Sequence, residues 1–213
     1  MKRFILLLLP VAAFAVGAPP EPPDHPPRET ALGKLWQAAV SAESGSDTGA
    51  ALAKLNVFAK SGGDPYMADI HAGWVNYSAK KYDEASRCYL AASNLQPSAL
   101  SPRLGLLNIA QAKGGGVPAI VAAESVLQIE PTNYRALMAV AWGSFQVKDF
   151  KRAGAAYQRV LVHYPEDTDA LSGASWCDYY TCRKREAYEG FRRLIVLSPD
   201  YQYARQGVAL TAR

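Results

Sequence analysis

The chain has 213 residues, 49% of them hydrophobic and 20% charged, with 23 Lys and Arg against 19 Asp and Glu. Without residues 1–15, which hold Lys2 and Arg3 and no acid, the balance falls to 21 − 19 = +2. So small a charge argues against nucleic acid as a partner.

Met1-Lys2-Arg3 is a positive start, followed by an apolar run from Phe4 to Val11 that Pro10 breaks. A bilayer core takes roughly 20 apolar residues, and this uncharged stretch turns proline-rich from Pro19. The segment therefore reads as a secretory signal and not as a membrane span. Cleavage is expected after Ala15, leaving Val16 first. The other site, after Ala18, would put Pro19 just beyond the cut, where its fixed ring fits an extended peptidase-bound strand poorly. Export to the periplasm or cell envelope, or release from the cell, is the expectation that follows. Residues 16–30 follow, and from Pro19 to Arg28 they contain Pro19, Pro20, Pro22, Pro23, Pro26 and Pro27 and no large apolar side chain. Such a stretch favours polyproline II and reads as a semi-rigid linker.

From residue 31 the pattern becomes periodic. Pro97, Pro131, Pro165 and Pro199 are each 34 residues apart, and Ala85, Ala119, Ala153 and Ala187 keep the same step. A fixed step of that length is the arithmetic of a helical repeat. Helix pairs are predicted near 31–43 and 48–61, 65–79 and 82–95, 100–113 and 117–129, 133–147 and 150–163, and 168–181 and 184–197, with a last helix at about 202–212. Ser101-Pro102 offers a cap with proline behind it, and Gly114-Gly115-Gly116 breaks the chain inside one pair. The last helix is expected to seal the open end, with Val208 inward and Arg205 and Arg213 outward.

On these residues the chain resembles tetratricopeptide (TPR) repeat proteins, whose repeat has small or apolar residues at positions 7, 8, 20 and 27, aromatics at 11 and 24, and proline at 32. Counting Tyr66 as position 1, Gly73 fills position 8, Ala85 position 20, Tyr89 position 24, Ala92 position 27 and Pro97 position 32. Later repeats begin at Leu100, Tyr134 and Thr168, with Ala123, Tyr157 and Phe191 at position 24. A weaker repeat begins at Leu32, with Gly63 in place of the proline. Position 11 departs from the pattern, being Asn76, Ala110, Ser144 and Asp178. The aromatic comes one place later in Tyr77, Phe145 and Tyr179, which leaves the register of the first helices open by one residue. The resemblance implies an all-α, right-handed solenoid of antiparallel helix pairs, with repeats at about 32–65, 66–99, 100–133, 134–167 and 168–201 and a cap at 202–213. Each repeat of such an array buries its apolar stripe against its neighbours alone.

No Gly-x-Ser-x-Gly, His-Glu-x-x-His, paired-glycine or Cys-His pattern is present, so neither an enzyme, a metal site nor a cofactor is expected. In TPR-like arrays, positions 2, 5, 9, 12 and 13 line a concave face, and that carry-over defines the candidate ligand groove. It comprises Trp36; Ile70, Trp74 and Tyr77, beside Met67; Asn108 and Gln111, beside Leu104; Arg135, Met138, Trp142 and Phe145; and Asp169, Trp176, Tyr179 and Tyr180. All four tryptophans then fall on one surface. Trp and Tyr join apolar area to a hydrogen-bonding tip, and the groove lacks the Lys/Asn set with which some TPR domains clamp a terminal carboxylate. The expected partner is an apolar peptide or protein segment, held by a scaffold or assembly factor of the envelope. The other readings are rings packed between helices, glycan stacking and self-association through an uncovered end.

Two further features stay open at this level. Arg183, Lys184, Arg185, Arg192 and Arg193 make a basic concentration that is either a solvated face or a contact for an anionic group such as lipid headgroups. Cys177 and Cys182 would lie roughly 8–9 Å apart on a continuous helix, beyond the roughly 7 Å limit of a disulfide. A bond between them needs the chain to fold back at a turn, and free thiols are the other reading.

Overall fold

The computed structural model describes residues 30–43 and 47–212. The signal and linker readings, apart from Thr30, lie outside the described residues, as does Arg213. Eleven helices and no strand are found among the described residues: α1 (Ala31–Glu43), α2 (Thr48–Lys60), α3 (Pro65–Ser78), α4 (Tyr82–Leu95), α5 (Leu100–Ala112), α6 (Gly116–Leu127), α7 (Tyr134–Gln146), α8 (Phe150–His163), α9 (Thr168–Tyr180), α10 (Lys184–Leu197) and α11 (Gln202–Thr211). They form five antiparallel hairpins followed by a single helix. Each helix packs on the one before and the one after. The first helices of neighbouring hairpins also meet, α3 with α5, α7 with α9 and α9 with α11, while the second helices show no approach of that extent. The first helices therefore make the tighter, inner wall of an all-α solenoid.

Local chemistry sets the helix ends. Asp47, Asp64, Asn133, Asp149 and Asp167 each accept a hydrogen bond from a backbone N–H in the first turn of α2, α3, α7, α8 and α9, which satisfies a donor that has no partner within the helix. Ser101 is not such a cap: α5 begins at Leu100, Ala99 stands at the cap without a side-chain bond, and Pro102 is buried in the first turn. The same pair of hydrogen bonds closes the turn inside each of the last four hairpins. At the end of α3, Lys80 N–H donates to Tyr77 O and Lys81 N–H to Asn76 O, and the equivalent pair recurs after α5, α7 and α9. This arrangement needs a left-handed residue one place past the cap. That residue is Gly114 in one hairpin, but Lys80, Lys148 and Cys182, with φ of 58°, 61° and 63°, in the others. A side chain there costs about 1 kcal/mol, so Lys148→Gly is expected to raise stability by about 0.5–1 kcal/mol in urea unfolding. A loss of stability would show that the Lys148 side chain contributes something this turn does not display.

Packing settles the register. Positions 8, 20, 24 and 27 are buried in all five repeats, from Ala39, Ala51, Leu55 and Phe58 to Ser175, Ala187, Phe191 and Leu194. Position 11, where the TPR pattern puts an aromatic, is also turned inward, as Asn76 and Ser144. The asparagine satisfies itself by donating to Ala72 O at 2.9 Å. The apolar side chains form four clusters, the largest spanning α5 to α9.

Three of the joints between hairpins set a ring against a bare backbone. Tyr89 lies on Gly105, Tyr157 on Gly173 and Phe191 on Gly207, and a Cβ added at those glycines would come within 2.5, 2.3 and 2.4 Å of the ring. Position 24 of one repeat thus presses on position 6 of the next. Where position 24 is Ala123, the facing residue is Ala139, and both are buried. The same requirement corrects the reading of α11. Ala204, Gly207 and Thr211 face inward and Val208 is only half-buried, because the surface against Phe191 admits no β-carbon.

Candidate concave interface

Position 9 of the first helices repeats along the inner wall as Val40, Trp74, Asn108, Trp142, Trp176 and Leu210. Trp74 and Trp142 are 52% and 56% exposed, unusual for side chains whose burial would be strongly favourable. Each lies against the aromatic one turn on: Trp74 on Tyr77 with centroids 6.0 Å apart, and Trp142 on Phe145 at 5.9 Å with the rings 5° from parallel. The displaced aromatic at position 12 is therefore a platform for the indole. Its far edge is braced by the first residue of the second helix, Tyr82 at 5.8 Å from Tyr77 and Phe150 at 5.3 Å from Phe145.

In the C-terminal half the rings are continuous. Phe145 and Phe150 meet Tyr180 at 6.0 and 4.5 Å, Tyr180 stacks on Trp176 at 6.0 Å, and Trp176 meets Tyr179 at 5.8 Å. Trp176 is half-buried, its ring edge-on to the buried Phe191 at 4.9 Å. Trp36 also turns partly inward, 5.0 Å from Phe58 of its own hairpin and 4.6 Å from His71 of the next. The four tryptophans therefore do not present one equivalent surface. Two stand out from the wall, and two are half built into it.

The polar members are partly engaged with one another. Arg135 of α7 donates to the Asn108 side chain of α5. Asp169 accepts from Tyr201 Oη at 3.3 Å. Gln111 is exposed, Ile70 and Tyr77 pack on the Tyr89 cluster, and Met138 on the central one. The wall thus alternates along its length: an aromatic patch on α3, a polar bridge on α5 and α7, then a longer aromatic patch on α7 and α9. Beside the first patch lies a hollow of about 430 Å³ between α1, α3 and α5, lined by Ile70, His71, Trp74, Leu104 and Asn108. Glu43 closes one edge of it, 2.6 Å from His71.

The sequence reading missed the continuation onto α11. Tyr203 and Leu210, 49% and 42% exposed, occupy positions 2 and 9 of an incomplete sixth unit. The step of 34 from Trp176 to Leu210 was the signal for them.

The basic stretch of α10 is largely spoken for. Arg183 pairs with Asp178 at 2.5 Å, Arg193 donates to Pro165 O, and Arg192 lies over the Tyr188 ring at 5.8 Å. The three cysteines are free, so the Cys177–Cys182 bond is not formed. Cys177 occupies buried position 10 of α9, while Cys182 is exposed in the turn. Burial, with the Asp178 carboxylate beside it, pushes the Cys177 thiol up to about 12, and the thiolate is the form that reacts. Alkylation of the native protein is expected to label Cys182 first, half-buried Cys88 slowly and Cys177 only on unfolding; equal rates would contradict this placement. No described helix is long and apolar enough to cross a membrane.

A wall of first helices, a second wall behind it and a 34-residue step together define the tetratricopeptide-repeat fold. Among solved structures, the chain is similar to a tetratricopeptide repeat protein from Parabacteroides merdae, with TM-score 0.69 and 17% identity over 84% of this chain and 72% of that one. It is similar to YrrB, a TPR protein with an unusual peptide-binding site, with TM-score 0.67 and 17% identity over 84% and 92%. Against MamA the TM-score is 0.64, with 18% identity over 69% and 80%. No family model and no curated protein matches the sequence.

Proposed function

We propose that this chain is a non-enzymatic interaction scaffold that holds an apolar segment of a partner protein along its inner wall. The observation that carries this is the pair Trp74 and Trp142, more than half exposed and each laid on an aromatic platform. Exposed apolar area of this kind marks an interaction surface, and indoles are the side chains most often decisive in one. The peptide-binding site named for YrrB supports the same use of the fold here. The partner segment carries large apolar side chains at two places, matching the two aromatic patches, and a polar group between them for Asn108 and Arg135. The charged start and apolar run of residues 1–11 favour action outside the cytoplasm, in the cell envelope.

The test is recovery of the C-terminally tagged full chain from envelope extract with its bound protein. Trp142→Ala should lose that protein while circular dichroism stays unchanged. Equal recovery by both forms, or a tagged chain found only in the cytoplasm, would refute the proposal.

A further inference from the structure

The wall opposite the indoles has three successive hollows between neighbouring second helices, equivalent by the 34-residue step and unlike in chemistry. Between α8 and α10 the hollow is lined by Lys151, Glu186, Glu189 and Arg193, with the Arg183–Asp178 pair in it. Between α6 and α8, Arg152 reaches across to Glu124. Between α4 and α6 lies a hollow of about 830 Å³ whose lining is mainly apolar, through Leu90, Leu106, Ile109, Val117 and Val121, with Asn94 and Lys113 also in it. Leu90, Val117 and Val121 there are 51%, 59% and 61% exposed. At the positions of Val117 and Val121, α4 has Asp83 and Arg87, and α10 has Arg185 and Glu189. Glu124 is the one charged residue of α6, whereas α8 bears Lys151, Arg152 and Arg159. An exposed helix ordinarily carries charge on this face for solubility, so α6 has the composition of a helix that is covered.

One end of this hollow holds an incompletely satisfied cation. Arg103 donates to Pro97 O at 2.9 Å and to Ser125 O at 3.4 Å, but its Nε is buried without a hydrogen-bond partner, as is Ser93 Oγ. Among the described residues no carboxylate lies within ion-pair distance of it. A guanidinium stays charged at any accessible pH, and a buried donor left open is unfavourable until something supplies an acceptor. A carboxylate does so with the strongest kind of hydrogen bond. The walls are helices whose backbone groups are already bonded, so an extended strand would find no main-chain partners, whereas a helix brings its own.

We infer that this hollow is a second docking site, for an amphipathic helix of another protein that lays an aliphatic stripe along Leu90, Val117 and Val121 and sets an Asp or Glu against Arg103. From Val117 to Ser125 the groove runs about 12 Å at the helical rise, which fits about two turns. The site is on the wall away from Trp142 and does not depend on the inner groove.

The experiment uses the full chain with p-benzoylphenylalanine in place of Val121, irradiated in the cells that make it, and identifies the cross-linked segment by mass spectrometry. The expected product is a segment of a different protein, with aliphatic residues at helical spacing and a carboxylate at one end. Leu90→Lys, at an exposed position, should lower the cross-linked yield at least fivefold, and Trp142→Ala should leave it unchanged. A synthetic peptide of that segment should bind the purified full chain at least fivefold more tightly than the same peptide with its acid changed to the amide. No cross-link, a cross-link to lipid or to a second copy of this chain, or equal binding of the acid and amide peptides would overturn the assignment. Loss of the cross-link on Trp142→Ala would overturn it as well, by placing the occupant on the inner wall.

Discussion

Phe191→Ala is expected to lower the unfolding free energy by about 3–5 kcal/mol, the range for removing a large ring from a packed interior. The ring is fully buried. It meets Trp176 edge-on at 4.9 Å, and the Gly207 backbone lies on its face. Relaxation cannot refill the space, because the facing residue is a glycine with no side chain to swing in. In a linear array each unit contacts only its neighbours, so the damage should be local. Hydrogen exchange is expected to accelerate in α9, α10 and α11 first, while amides of α5 to α8 keep most of their protection. A loss below about 1 kcal/mol, or one spread evenly along the chain, would refute this account of the joint.

Trp142→Ala should have the second-largest effect, on binding and hardly at all on folding. More than half of the side chain is exposed, so its removal should cost under about 1 kcal/mol of stability. Central indoles in protein interfaces typically contribute about 2 kcal/mol or more, which is about 30-fold in affinity at 1.4 kcal/mol per decade. Trp74→Ala should act similarly. The two indoles are separated by α5, which carries Asn108 at the same position, so their effects should add within about 0.5 kcal/mol if one segment spans both patches. Titration calorimetry of the single and double variants against the captured partner checks this. An occupant that responds to only one of the two tryptophans would show that the patches serve separate ligands.

Much of the fold was legible because the signals were local and repeated. Four prolines and four alanines in step gave the period, and burial of Ala39, Gly73, Leu107, Ala141 and Ser175 at position 8 confirms the register. Where the reading failed, the cause lay between helices distant in sequence. Val208 looked like the inward residue of α11 on hydropathy, but the neighbour is Phe191, and only Gly207 lets the backbone approach it. Asn108 and Arg135 keep their ligand-facing positions, but the bond between them was not foreseen. That bond depends on rotamers in two hairpins, which a one-dimensional pattern does not contain. Trp36 had the right position in its repeat, but Phe58 and His71 draw its ring partly inward.

The ring-on-glycine joint also governs how this molecule could be recombined. A hairpin ending in Tyr157 or Phe191 can be followed only by one that opens with glycine at its sixth place, whereas the hairpin ending in Ala123 accepts alanine there. Duplicating 168–201 in tandem keeps every junction matched, because Gly173 of the copy would receive the original Phe191. Placing 134–167 directly after 66–99 would drive Tyr89 into Ala139. Grafts in this scaffold therefore have a grammar of permitted neighbours, written in two positions per hairpin.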